Sequence, residues 1–158
     1  MEKIVVGIDG SGPAQAALEW AVAEAMVRGA GLVVVHAWQQ PATVLMSPYA
    51  PLLADPATLA ETACKTLADS LAMVDLTGLA GEADLRIVQG PAAPALIGAA
   101  KDATLLVVGS RGRGGFAGLL LGSVSQQVAH ESTVPVVIIP PPAKATDGPA
   151  VVNRTADR

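Results

Sequence analysis

Aromatic side chains are scarce in this chain, with one Phe, one Tyr and two Trp among 158 residues. A core without rings has to be filled by aliphatic side chains, and hydrophobic residues make up 51% of the sequence. That composition suits a buried parallel sheet covered by alanine-rich helices. Cysteine is nearly absent as well. Cys64 stands alone, so no intrachain disulfide can form. With no Arg/Lys-flanked apolar leader either, a reducing, cytoplasmic setting is expected. Basic residues are few: ten Lys and Arg against 14 Asp and Glu leave a net charge of −4. They form no concentrated basic face, which argues against nucleic acid as a partner. Long hydrophobic runs are missing too. Gly, Pro or charge breaks each apolar stretch within about eight residues, well short of the roughly 20 needed to cross a bilayer. No membrane span is expected.

What is present reads as one domain of alternating strands and helices. Lys3 to Ile8 (KIVVGI) is a β-branched run followed by Asp-Gly-Ser-Gly-Pro, which is turn chemistry with Pro13 suited to a first helical turn. Ala14, Ala17, Leu18, Ala21, Val22 and Ala25 then keep the i, i+3, i+4, i+7 spacing of a one-sided helix, closed by Gly29 and Gly31. Leu32 to Ala37 reads as a second buried strand. The segment from Gln39 to Asp55, with Pro41, Pro48 and Pro51, keeps no period and reads as an irregular surface segment, a candidate lid. Helical spacing resumes at Leu59, Ala63, Leu67, Ser70, Leu71 and Val74 and continues to Gly78. Ala83 to Val88 predicts a third strand, Gly90-Pro91 opens a short helix through Ala100, and Thr104 to Val108 is a fourth strand. A helix beginning near Gly122 and a last strand from Val134 to Pro140 complete the series. Such alternation calls for a parallel sheet with right-handed crossovers and helices on both faces, a doubly wound α/β fold. The domain is expected to span residues 1 to 141. The polar, proline-bearing stretch from 142 to 158 is expected to be a disordered tail.

The residues that carry chemistry follow the fourth strand. Gly109, Gly112, Gly122 and Ser123 form a G-x2-G-x9-G-S pattern between a strand and a helix. Glycines let a ligand approach the backbone without a Cβ in the way, and a helix N-terminus offers free N–H groups with partial positive charge. The stretch Gly122-Ser123-Val124-Ser125 is therefore suited to phosphate oxygens, with Ser123 expected both to cap the helix and to donate its hydroxyl. Gly122 is expected to need a positive φ. Arg111 and Arg113 lie within the loop, where a cation could neutralise phosphate charge. A Walker loop is excluded because no Lys lies between Lys101 and Lys144. A dinucleotide fingerprint is excluded because Gly7, Gly10 and Gly12 have the wrong spacing. His36 reads as a packed strand histidine, His130 as a helix-surface one, Cys64 as a small buried hydrophobe, and Met26, Met46 and Met73 as core filler.

The stretch VVGSRGRGGFAGLLLGSVSQQVAHESTVPVVIIP, together with the opening KIVVGIDGS, resembles the universal stress protein family over residues 1 to about 140. The resemblance implies a five-stranded parallel sheet of order 3-2-1-4-5 and places this chain among members that keep the ATP-binding motif. It implies that Asp9, at the end of the first strand, faces the adenosine, where a carboxylate can accept hydrogen bonds from ribose hydroxyls or the adenine amine. It implies that the backbone of Ala37, at the end of the second strand, meets the adenine edge. It also implies homodimerisation through the fifth strand, whose apolar run would otherwise be an open edge.

The functional expectation is an ATP-binding regulatory or stress-response protein, with Mg²⁺ accompanying the nucleotide and at most slow hydrolysis. No Ser-His-Asp set and no paired carboxylates stand near the loop. Two alternatives remain: a cyclic AMP-binding member of the same family, or an ATP-hydrolysing or adenylating enzyme. Adenylating enzymes carry a Ser-Gly-Gly-x-Asp-Ser loop after the first strand, where this chain has Asp9-Gly10-Ser11-Gly12.

Overall fold

The computed structural model describes residues 2–40, 55–113 and 120–141. Five parallel strands are ordered β3-β2-β1-β4-β5: β1 (Lys3–Ile8), β2 (Gly31–Trp38), β3 (Asp84–Gln89), β4 (Leu105–Gly109) and β5 (Val136–Ile139). The helices are α1 (Gly12–Arg28), α2 (Pro56–Leu71), α3 (Ala92–Ala99) and α4 (Ser123–Glu131). The architecture is the expected doubly wound α/β sheet. The expected tail, 142–158, and most of the expected surface segment, 41–54, lie outside the described residues.

The central strands are continuous apolar runs because both of their faces are covered. Ile4, Val6, Ile8 and Val34 pack under α1 and α2, alongside Leu18, Val22 and Leu67. Val5, Val33, Val35 and Val108 pack on the other face against Leu96 of α3 and Val128 of α4. The six apolar positions that define the period of α1 are its six buried residues. Its ends follow local rules: the Ser11 hydroxyl accepts from the Ala14 N–H, and Gly29 closes the helix in the left-handed region at φ 59°. The β1–β2 register pairs Ile8 with His36, which aligns the carboxyl ends of the two strands.

Two sequence readings are corrected on α2. The period running to Val74 predicts a longer helix, but the helix stops at Leu71. The Met73 and Val74 N–H groups bond to Ser70 and Leu71 carbonyls three residues back, which tightens the last turn. Asp75 then accepts from both the N–H and the hydroxyl of Thr77, fixing a turn and holding its carboxyl below the usual range. Cys64 is exposed rather than buried. The buried face of α2 runs through Ala63, Thr66, Leu67 and Ser70, and Cys64 lies one residue, about 100°, around from Ala63. Of the methionines read as filler, Met26 packs against the core, Met73 is 69% exposed, and Met46 lies outside the described residues.

α1 and the end of β4 approach closely at Gly109. A Cβ there would stand 2.7–2.8 Å from the Pro13 carbonyl carbon and oxygen and the Ala14 nitrogen, all backbone atoms. None of these can swing aside like a side chain. Gly109→Ala is therefore expected to force α1 and β4 apart and destabilise the fold by about 1–3 kcal/mol. Thermal unfolding checks this, with the midpoint expected to fall by about 2–12 °C, since each kcal/mol shifts it by roughly 2–4 °C in a chain of this length.

Candidate functional site

The strand order determines where a ligand can enter. The crossover leaving β1 runs to β2 and the one leaving β4 runs the opposite way to β5, so the helices on the two faces diverge at the carboxyl ends of these neighbouring strands. A cleft of about 480 Å³ opens there. All nine residues singled out as nucleotide-binding line it: Asp9, Ala37, Gly109, Arg111, Gly112, Gly122, Ser123, Val124 and Ser125. Arg113 lines it too. The expectation concerned residues up to 116 positions apart in sequence, from 9 to 125, and the topology brings them to one place.

Asp9 is a tether as well as a wall of the cleft. Its Oδ1 accepts from the Ser11 N–H at 2.9 Å, and its Oδ2 accepts from the Arg113 N–H at 3.1 Å. The second bond crosses 104 residues and fastens the start of the glycine loop to the end of β1. This tether explains a glycine. A Cβ on Gly112 would overlap Asp9 Oδ2, whereas the backbone of Gly112 itself is not at positive φ, unlike Gly10, Gly29 and Gly90. Space beside the carboxylate, rather than conformational freedom, requires glycine at that motif position. Gly10 has the complementary arrangement, since its Cβ would run into the Arg113 guanidinium.

At the far end of the loop two expectations are corrected. Ser123 is not the helix cap: Gly122 is the N-cap of α4, and among the described residues no side chain caps the helix there. Gly122 has φ −82°, an ordinary extended conformation, so positive φ is not why it is glycine. Its Cβ would instead stand 3.3 Å from Arg111 Cα, against the incoming arm of the loop. With the cap position lacking a side-chain acceptor, the first N–H groups of α4 are open to an anion from outside the helix. The Ser125 hydroxyl, 2% exposed, sits within hydrogen-bond range of the Ser110 and Gly122 carbonyls.

Residues that sequence reasoning did not assign to the site complete the opposite wall. Leu59, Thr62, Ala63 and Thr66 of α2 line it, with Trp38 and Gln39 at the end of β2 and Leu96 of α3. The helical period of α2 was legible, but which of its faces reaches the cleft depends on the crossover, and no local signal marks it. His36, read as a packed strand residue, is buried, with its Nδ1 2.8 Å from the Ile8 carbonyl oxygen, and it also borders the cleft. His130 lies on the exposed surface of α4. Among the described residues no group of three or more His, Cys, Asp or Glu side chains could hold a metal ion. No helix there is long and apolar enough to cross a membrane.

The Asp9–Gly112 contact is testable as a pair. Gly112→Ala and Asp9→Ala are each expected to cost about 1–2 kcal/mol, the first by displacing the carboxylate and the second by leaving loop N–H groups unpaired. Because the added methyl group collides only with Asp9, the double variant is expected to cost less than the sum of the two by at least about 0.5 kcal/mol. Denaturant unfolding of the four proteins measures the coupling. Additive costs would show that the loop start is held by something other than Asp9.

Known proteins resemble this chain in sequence and fold. The family model described as "Universal stress protein family" matches residues 1–140. A universal stress protein of Mycolicibacterium smegmatis is 38% identical over 138 residues, covering 87% of this chain and 45% of its own length. The chain thus spans about half the length of the curated relatives it matches. The solved universal stress protein of Lactobacillus plantarum superposes with a TM-score of 0.75 at 24% identity, covering 87% of this chain and 97% of that one. A solved universal stress protein described as in complex with cAMP is 30% identical, with a TM-score of 0.57, covering 89% of this chain and 97% of that one.

Proposed function

Since this chain belongs to the universal stress protein family, we propose that it binds an adenine nucleotide, ATP with Mg²⁺, in the cleft at the carboxyl ends of β1, β2 and β4. The observation that carries the proposal is the convergence of Asp9, Ala37, the glycine pattern and the open N-terminus of α4 on that one cleft. In this reading the adenosine lies between Asp9, the Ala37 backbone and the α2 wall. The phosphates lie along Gly109, Gly112 and Gly122 to the N–H groups of Ser123, Val124 and Ser125. Arg111 and Arg113 offset their charge. Mg²⁺ would arrive on the phosphates, since it is usually held by one or two carboxylates and otherwise keeps water, and Asp9 is the carboxylate available in the cleft. The protein acts as a nucleotide-dependent regulator of the stress response in the cytoplasm, with at most slow hydrolysis. The domain spans 1–141.

A second reading, cyclic AMP in the same cleft, is favoured by the solved relative in complex with cAMP. It uses the same residues but leaves the distal end of the loop unfilled.

Thermal unfolding with and without nucleotide tests both readings. Saturating Mg-ATP is expected to raise the wild-type midpoint by several degrees, as about 2.7 kcal/mol of linkage at a hundredfold excess over Kd predicts. GTP is expected to give a smaller shift. Gly122→Val is expected to fold and to lose the response, because its side chain occupies the phosphate path and binding weakens at least about a hundredfold. A full shift in that variant would put the phosphates elsewhere, and a larger shift with cyclic AMP than with ATP would select the second reading.

The proposed assembly is a homodimer through β5. Among the described residues this strand pairs only with β4, and its four residues are half-buried in the single chain. An apolar edge of that kind is normally covered. Sedimentation at micromolar concentration is expected to give a dimer, and a charge at Ile138, as in Ile138→Lys, is expected to shift it to monomer.

A further inference from the structure

The glycine loop leaves the sheet at Ser110 and rejoins the fold at Gly122, and these two residues are bonded to each other. The Gly122 N–H donates to the Ser110 carbonyl at 2.7 Å. Ser110 is itself held at the sheet end, where its N–H donates to the Ile139 carbonyl at 2.7 Å. The Ser125 hydroxyl lies between the two arms, 2.8 Å from Ser110 O and 3.0 Å from Gly122 O. It carries one proton, which it gives to either carbonyl or shares between them. Ser125 lies in the first turn of α4 and is almost wholly buried.

We propose that Ser125 is a positioning residue, a latch that closes the base of the glycine loop and holds the open N–H groups of α4 at a fixed distance from the loop's first arm. A hydroxyl already engaged with two carbonyls inside the fold is poorly placed to donate to a phosphate. Ser125 therefore acts on a ligand through the loop. The bond to Ser110 spans 15 residues, so it constrains the loop in a way that no local helix bond can. Without it the Ser110–Gly122 bond remains as the only tie described across the base, and a single hydrogen bond opens more readily than a pair sharing an acceptor. Threonine offers the same hydroxyl, whereas alanine removes it with little change in volume. The consequence for binding rests on the nucleotide reading above, but the latch itself does not.

Hydrogen exchange resolved to the Gly122 amide separates the two ideas, because it is measured without nucleotide. Ser125→Ala is expected to speed exchange at Gly122 about tenfold, the size of effect that losing one buried hydrogen bond allows. Exchange in β1 and β4 is expected to stay at the wild-type rate, and Ser125→Thr is expected to restore the Gly122 rate. Calorimetric titration of the same three proteins with Mg-ATP is expected to show Kd raised about tenfold in the alanine variant and restored by threonine. An unchanged Gly122 rate in Ser125→Ala overturns the latch, and so does acceleration spread evenly over the sheet, which marks a purely global effect. Faster loop exchange with no loss of ATP affinity overturns the positioning role. Faster loop exchange in a protein whose wild type binds no nucleotide keeps the latch and removes the nucleotide reading.

Discussion

The whole arrangement depends on β1 being paired in parallel on both sides. A parallel neighbour cannot be reached by a tight turn, so each pairing requires a crossover through a helix. With β2 on one side of β1 and β4 on the other, α1 and α2 lie on one face while α3 and α4 lie on the opposite one. No helix can cover the point where these crossovers part. The cleft is thus a by-product of connectivity, and the side chains at the strand ends decide what it is good for.

Those strand ends are held in place by short-range steric and hydrogen-bond constraints. Three glycines of the pattern meet three different obstacles: the first turn of α1 for Gly109, the Asp9 carboxylate for Gly112 and the backbone of Arg111 for Gly122. In none of them is a positive φ the reason. At Gly109 and Gly122 backbone packs against backbone, and at Gly112 it packs against a carboxylate, so at each of these positions it is the close approach of a neighbour that requires glycine.

Much of this was legible in the sequence, for reasons that differ by element. β1 and α1 were readable to within a residue or two because their signals are local: a β-branched run, an apolar stripe at helical spacing, Ser11 before the helix and Gly29 after it. The end of α2 was not, because Val74 continues the period while the chain after Leu71 tightens into three-residue turns and then turns at Asp75–Thr77, and periodicity does not register either. Cys64 was misplaced since cysteine's general preference for the interior gave no information about which face of α2 turns inward. At the site, the residues singled out from the sequence line one cleft, whereas the roles of Ser123 and Ser125 were not separable. Which of two serines has a free hydroxyl depends on carbonyls brought in from Ser110, and that is a tertiary fact.

The exposed position of Cys64 has a practical meaning. It is the one thiol in the chain, and it sits on the outer side of the helix whose inner residues, Ala63 and Thr66, form a wall of the cleft. A maleimide dye or spin label would attach at a single known point, without engineering, on a helix that lines the cleft. The same feature makes the purified protein prone to cross-linking between molecules as the buffer oxidises, so a disulfide-linked species on a non-reducing gel would report surface chemistry rather than native assembly.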